Sequence, residues 1–244
     1  LGIDAIVKVE SAYVFRGYNV FQSTSQHDQN LALFDQLSWN VPRTDLSFGY
    51  SSVLQLTGDN VAHNIQVGLG AEQVAFVDYD WGPADHVTIT PEIATVVYPA
   101  SSQVPLFLEA STEARYLGPV EMSIYAGFFG AIRPGPLTEN HFYARPLVEK
   151  TFDLTSHVEL SAQAGVGVKI FQSDPGAIHA NMFDVLAGAG VSYSFNEALY
   201  AGAKFAMAWT NLERQKNPVT GQVVIPSFAD EYVPVASVVV GGDW

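Results

Sequence analysis

Val158-Glu159-Leu160-Ser161-Ala162-Gln163-Ala164-Gly165-Val166-Gly167-Val168-Lys169-Ile170 alternates without a break. Val158, Leu160, Ala162, Ala164, Val166, Val168 and Ile170 are apolar, and every residue between them is polar, charged or glycine. A period of two sends these sets to opposite faces of a β-strand. Strands of globular proteins usually run about 5–6 residues, whereas a strand that crosses a bilayer needs about 9–11. Lipid against one face and water against the other produces this pattern at this length.

Working outward, the same alternation recurs in segments 2–16, 30–41, 45–56, 64–72, 87–98, 106–116, 120–129, 142–149, 183–194, 199–210 and 230–244, about twelve strands in all. Segment 30–41 carries an anomaly, because Asp35 falls among Leu33, Leu37 and Trp39. Connections alternate in length. Segments 42–44, 117–119, 153–156 and 196–197 are short, while 18–29, 134–140, 172–180 and 211–229 are long. Two links depart from this rule: 78–86 is long where a short turn is due, and 99–103 is short where a long loop is due. Short periplasmic turns, longer extracellular loops and an even strand count are the asymmetry of outer-membrane barrels. In lipid every backbone N–H and C=O must be paired, and only a closed ring leaves no edge. The expected fold is all-β: one closed antiparallel transmembrane β-barrel over residues 1–244, with both termini periplasmic. Tyr13, Phe15, Trp39, Tyr50, Tyr116, Tyr193, Phe195, Trp209 and Trp244 lie near strand ends, where interfacial aromatic girdles form.

Composition agrees. Hydrophobic residues make up 48% of the 244, yet no apolar run has the length of a membrane helix. Charged residues make up only 15%, against about 25–35% on a soluble surface. A soluble sandwich or lipocalin-like barrel also alternates, but it would turn the glycine-rich, lysine-poor face to water. Absence of cysteine removes disulfides and a lipoprotein anchor. The start at Leu1 reads as a mature chain after signal-peptide removal. A net charge of −14 argues against nucleic acid as a partner.

Ser11-Ala12-Tyr13-Val14-Phe15-Arg16-Gly17 resembles the Ser-x-Tyr-x-Phe-Arg-Gly signature in the first strand of the TorF-type porin family. Val97-Tyr98-Pro99, Leu106-Phe107-Leu108-Glu109-Ala110, Gly118-Pro119-Val120 and Ser123-Ile124-Tyr125 look like that family's middle portion. The family's usual polar stretch after Arg-Gly is replaced here by Tyr18-Asn19-Val20-Phe21-Gln22. The resemblance covers about the first two thirds of the chain. It implies a bacterial outer-membrane barrel and a channel role, and carries no substrate with it.

By parity the lumen receives Lys8, Glu10, Arg16, Glu72, Glu92, Glu109, Glu113, Arg115, Glu121, Arg145, Glu149, Glu159, Lys169 and Lys204, with Asp184 and Glu231. Acids prevail, so an open lumen would favour cations. The plainer reading pairs these charges across neighbouring strands and fills the interior, and Arg16 is then a structural partner of Glu10 or Glu113. The expected function is passive diffusion of small solutes or ions through a narrow acidic pore. The alternative is a structural barrel, docking a protein partner through loops 18–29 and 211–229, where Val223-Val224-Ile225 is apolar. An outer-membrane enzyme stands third: His27, His63, His86, His141, His157 and His179 fall in loops or at strand edges, and no Ser-His-Asp set shares one level. Asp78-Tyr79-Asp80 with Asp85-His86 lacks the spacing of a calcium loop and reads as a solvated turn. Outer-membrane lipid is the surrounding medium, and no cofactor, metal or covalent chemistry is implied.

Overall fold

A computed structural model of the chain describes residues 2–12, 14–15, 18–19, 31–57, 72–99, 106–133, 140–171, 182–210 and 232–243. Their strands are β1 (Ile3–Glu10), β2 (Val14–Phe15), β3 (Tyr18–Asn19), β4 (Ala32–Asn40), β5 (Leu46–Gln55), β6 (Glu72–Tyr79), β7 (Trp81–Ala84) and β8 (Val87–Val97). They continue as β9 (Leu106–Leu117), β10 (Glu121–Arg133), β11 (His141–Asp153), β12 (Val158–Phe171), β13 (Met182–Ser194), β14 (Leu199–Thr210) and β15 (Tyr232–Asp243). Each strand of the ring pairs antiparallel with its neighbours in sequence, β1 pairs with β15, and β6 skips β7 to pair with β8. Twelve strands therefore close on themselves. β7 is a short addition paired to β8, and β2 with β3 forms a separate two-stranded piece.

Orientation follows from which parity is exposed. Val7 (49%), Leu37 (55%), Ile93 (56%), Phe205 (56%) and Val238 (59%) keep much of their surface, while the residues between them are covered or partly covered. A soluble barrel would bury these side chains. Here they form an apolar outer band, and the charged parity faces a lumen. At the turn end the band carries aromatic contacts: Trp39 stacks on Phe48 at 6.3 Å, and Tyr193 meets Phe195 edge-on at 5.1 Å. Trp39, Tyr50, Tyr116, Tyr193 and Phe195 are all exposed, as a girdle requires. Tyr13 and Trp244 lie outside the described residues, as does Arg16 of the porin-like signature.

The turn-end connections are short: Val41–Asp45, Asp85–His86, Gly118–Val120, Leu154–His157 and Phe195–Ala198. The strand expected over 64–72 lies, apart from Glu72, outside the described residues. Residues 58–71 lie outside the described set, and the strand that pairs with β5 is 72–79. Its pattern is masked because both faces are apolar: Val74 and Phe76 point inward, and Ala75, Val77 and Tyr79 point outward. Phe76 fits because Gly49 opposite has no side chain; a Cβ there would stand 2.0 Å from the ring. Gly49 thus gives the ring a place that any larger residue would fill. The long link expected at 78–86 is likewise a hairpin, with Trp81–Ala84 paired to β8 and a turn at Asp85–His86. Its Asp, Gly and Pro content reads as loop although most of it is strand.

A charged lumen as candidate functional site

The register places Lys8, Glu10, Glu72, Glu92, Glu109, Glu113, Arg115, Glu121, Arg145, Glu149, Glu159, Lys169, Lys204 and Asp184 on one face, the inner one. Residues joined across antiparallel strands share a face, so each pairing transfers the assignment to the next strand. Glu72 keeps its expected inward place although it opens β6 rather than closing an earlier strand. Arg16 and Glu231 lie outside the described residues. Asp78, read from sequence as part of a turn, also faces inward opposite Ser47 and Glu92.

Charge is not mixed evenly around this wall. Strands β6, β8, β9 and the start of β10 carry Glu72, Asp78, Glu92, Glu109, Glu113 and Glu121 with one base, Arg115. Strands β11 to β15 with β1 carry Arg145, Lys169, Lys204 and Lys8 beside Glu149, Asp153, Glu159, Asp184, Asp243, Asp4 and Glu10. The inner wall thus has an acidic arc and a mixed arc that holds most of the bases.

The ion pairs of Lys8, Arg115 and Arg145 do not follow the neighbouring-strand rule expected from parity. Lys8 meets Glu10 at 2.9 Å and Arg115 meets Glu113 at 2.8 Å, each within one strand. Side chains two apart on a strand lie on the same face and meet there. Lys8 also sits 4.8 Å above the Phe34 ring, a cation–π contact. Tyr125 donates its hydroxyl proton to the Glu109 carboxylate.

Two further contacts span a whole strand. Arg145 on β11 donates to Asp184 Oδ1 on β13 at 2.7 Å, and Tyr143 donates to Asp184 Oδ2 at 2.9 Å. The intervening residue on β12 is Gly167, where a Cβ would stand 2.0 Å from Asp184 Oδ2 and 2.4 Å from the Tyr143 hydroxyl. Pro146 loosens the β11–β12 ladder here: the pairing runs from Ala144 to Leu147 and skips Arg145 and Pro146. Proline has no N–H to contribute. Arg145 Nε is buried without a hydrogen-bond partner among the described residues; its guanidinium lies 5.3 Å over the Tyr143 ring, which offsets part of that cost. In the same way Lys204 on β14 reaches across β13 to Gln163 Oε1 on β12 at 2.5 Å, passing Gly188 and Gly190. The glycines on the wet parity are the floor over which long polar side chains cross. A cavity of about 280 Å³ lies beside these bridges, lined by Lys8, Glu10, Arg145, Gln163 and Lys204 with Leu186, Val235 and Val239.

Burial varies along the axis. Nearest the loop end, Ala32, Val53, Glu72, Val96, Phe107, Phe129, His141, Lys169, Asp184, Thr210 and Val233 are all buried, one on each of β4 to β15 that belongs to the ring. Phe107 stacks on Phe129 at 4.4 Å, and Phe129 on His141 at 5.1 Å. Toward the turn end Arg115 and Glu159 are exposed, and Glu113, Glu121 and Glu149 are partly so. Inner-face residues are thus buried toward the loop end and more exposed toward the turn end. Sequence parity assigns the face of each residue but carries no signal for this gradient.

Of the histidines, His86 and His157 lie in turns, and His141 faces inward at the start of β11. His27, His63 and His179 lie outside the described residues, as do loops 18–29 and 211–229 except the strand residues Tyr18 and Asn19. Asp80 accepts a hydrogen bond from Thr90 at 2.6 Å. Among the described residues no group of three or more His, Cys, Asp or Glu could hold a metal ion.

No protein-family model and no curated protein matches the chain. Solved structures do. The KdgM porin is similar over 99% of both chains with a TM-score of 0.58 at 7% identity. The NanC porin covers 99% of this chain and 98% of its own, with a TM-score of 0.53 at 12% identity. LpxR from Salmonella typhimurium covers 99% and 100%, with a TM-score of 0.52 at 8% identity. At such identities the likeness concerns the fold, and that fold is the closed β-barrel of outer-membrane proteins.

Proposed function

We propose that the chain is a bacterial outer-membrane channel for passive diffusion of small solutes or ions, with a narrow lumen that favours cations. The observation that carries this reading is the inner wall's charge. Among the described strand residues thirteen acids (Asp4, Glu10, Glu72, Asp78, Glu92, Glu109, Glu113, Glu121, Glu149, Asp153, Glu159, Asp184, Asp243) face five bases (Lys8, Arg115, Arg145, Lys169, Lys204). Fixed negative charge along a water path raises the local concentration of cations and repels anions. The basic residues are largely engaged: Lys8 with Glu10, Arg115 with Glu113, Arg145 with Asp184 and Lys204 with Gln163. The acidic arc is therefore the side along which cations travel.

The resemblance of Ser11 to Gly17 to the TorF-type signature, and the likeness to the KdgM and NanC porins, support the channel class. Twelve strands give a barrel between the filled eight-stranded and the wide 16–18-stranded ones. The level of buried inner residues toward the loop end is where passage would be narrowest in this reading, and no covalent step or cofactor enters it. Osmotic swelling tests it: proteoliposomes should swell in isosmotic potassium salt and in small neutral polyols, with rates falling as solute size grows. Folded, inserted protein that leaves the vesicles as tight as protein-free ones would sink the proposal.

The packed loop-end ring favours a second reading, a structural barrel that is shut and docks a protein partner through its loops. Silent vesicles would move the assignment there.

A further inference from the structure

The cavity beside the Arg145 and Lys204 bridges joins an apolar side to a cluster of cations. It holds about 280 Å³ on the mixed arc, lined from β1 and from β11 to β15. At about 30 Å³ for each water of the liquid, that is room for about nine. The volume falls just below the about 300–1,000 Å³ of small-molecule sites, so a small solute fits it. Leu186, Val235 and Val239 form the apolar side, and Leu186 and Val235 pack against the buried Ala12, Ala208 and Val233 at one end. Apolar surface left to water is unfavourable, and a hydrocarbon body laid on it removes that cost.

The polar side carries Lys8, Arg145 and Lys204 with a single acid, Glu10. Two of these cations are already neutralised, Lys8 by Glu10 at 2.9 Å and Arg145 by Asp184 at 2.7 Å. Lys204 differs. It donates to Gln163 Oε1, a neutral acceptor, at 2.5 Å, and among the described residues no carboxylate stands within ion-pair distance of it. An ammonium has three N–H donors and no acceptor. Its remaining donors and its whole charge are left to what enters the cavity.

We propose that this cavity binds a small monocarboxylate with an apolar body. The carboxylate meets Lys204, and the hydrocarbon or aromatic body lies against Leu186, Val235 and Val239. A neutral solute would leave the Lys204 charge uncompensated, and a cation would be repelled by it. A dicarboxylate would bring one charge more than the cavity offers. The site deepens the channel reading, on which it rests, by naming a solute class. Cations keep to the acidic arc, and the carboxylate to the mixed one.

Fluorine NMR of para-fluorobenzoate with the protein in nanodiscs tests the site, since binding needs no net passage. The fluorobenzoate line should broaden saturably beyond that seen with empty nanodiscs, whereas para-fluorobenzyl alcohol and para-fluorobenzylammonium should match the empty discs. Lys204→Met, checked for folding by heat-modifiable gel mobility, should weaken binding about ten- to hundredfold, the worth of one charge-assisted hydrogen bond. Lys204→Arg should keep most of the affinity. Lys150→Met, the same loss of charge on the outer face, should leave binding unchanged. Absence of saturable binding, equal binding of the alcohol or the ammonium, or a folded Lys204→Met variant that binds as before overturns the proposal; the ligand series decides even where that variant does not fold. Vesicles that fail to swell although fluorobenzoate binds would overturn the channel alone, and swelling vesicles without bound fluorobenzoate would overturn this site alone.

Discussion

Replacing Gly167 by alanine adds one carbon where the inner wall has no room for it. In an ordinary strand position this change stabilises by about 0.4–1 kcal/mol, because the unfolded chain loses freedom. Here the new Cβ stands 2.0 Å from Asp184 Oδ2 and 2.4 Å from the Tyr143 hydroxyl. The carboxylate, with 1% of its side-chain surface exposed, must move away from Tyr143 and Arg145. Hydrogen bonds to a charged group are each worth about 1.5–3 kcal/mol, and breaking a buried ion pair costs about 3–5 kcal/mol. Arg145 keeps 24% of its side-chain surface, so water recovers part of its share. A net destabilisation of about 2–4 kcal/mol follows after the entropic gain is subtracted. Equilibrium urea unfolding in lipid vesicles, followed by tryptophan fluorescence, measures it. Asp184→Asn in the same background isolates the cause, since with the carboxylate neutral the alanine should cost much less than it does alone. A neutral or stabilising Gly167→Ala, or two substitutions that add within about 0.5 kcal/mol, would refute the bridge across β12.

Gly49→Val should destabilise by about 1–3 kcal/mol through overpacking against Phe76, and Phe76→Ala in the same chain should recover part of that loss in the urea assay. Lys204→Met removes an inner-wall cation that is hydrogen-bonded to a neutral partner, Gln163; conductance should become more cation-selective while thermal unfolding changes little. Selectivity itself should fade between 0.1 M and 1 M salt, as the Debye length drops from about 10 Å to about 3 Å, and a preference unchanged at high salt would point to size rather than charge.

The sequence alone makes most strands readable because one face meets lipid and the other meets water. Val158 to Ile170 shows this best, and its structure as β12 spans nearly the same residues. The reading failed at β6, where Val74 and Phe76 face inward beside Ala75 and Val77 facing outward, so no period of two remains. It failed again at Trp81–Ala84, where turn-forming residues take part in a hairpin. Faces were legible at the site: each lumen candidate among the described residues has its inward place. Partners were not. Arg145 with Asp184 and Lys204 with Gln163 are two strands apart, and both contacts depend on glycines whose role appears only once the strands are in register. Asp35 stands out in the sequence as an acid among Leu33, Leu37 and Trp39, and the register puts it on the outer face with them.

The central claim is that the acidic arc makes the lumen prefer cations. Reversal potential in a planar bilayer under a potassium chloride gradient measures it, on the unsubstituted protein and on a variant with Glu92→Gln, Glu109→Gln and Glu113→Gln. The account predicts discrete conductance steps with a cation-selective potential that moves most of the way to zero in the variant. An anion-selective potential in the unsubstituted channel, or a cation preference the three substitutions leave in place, would contradict it.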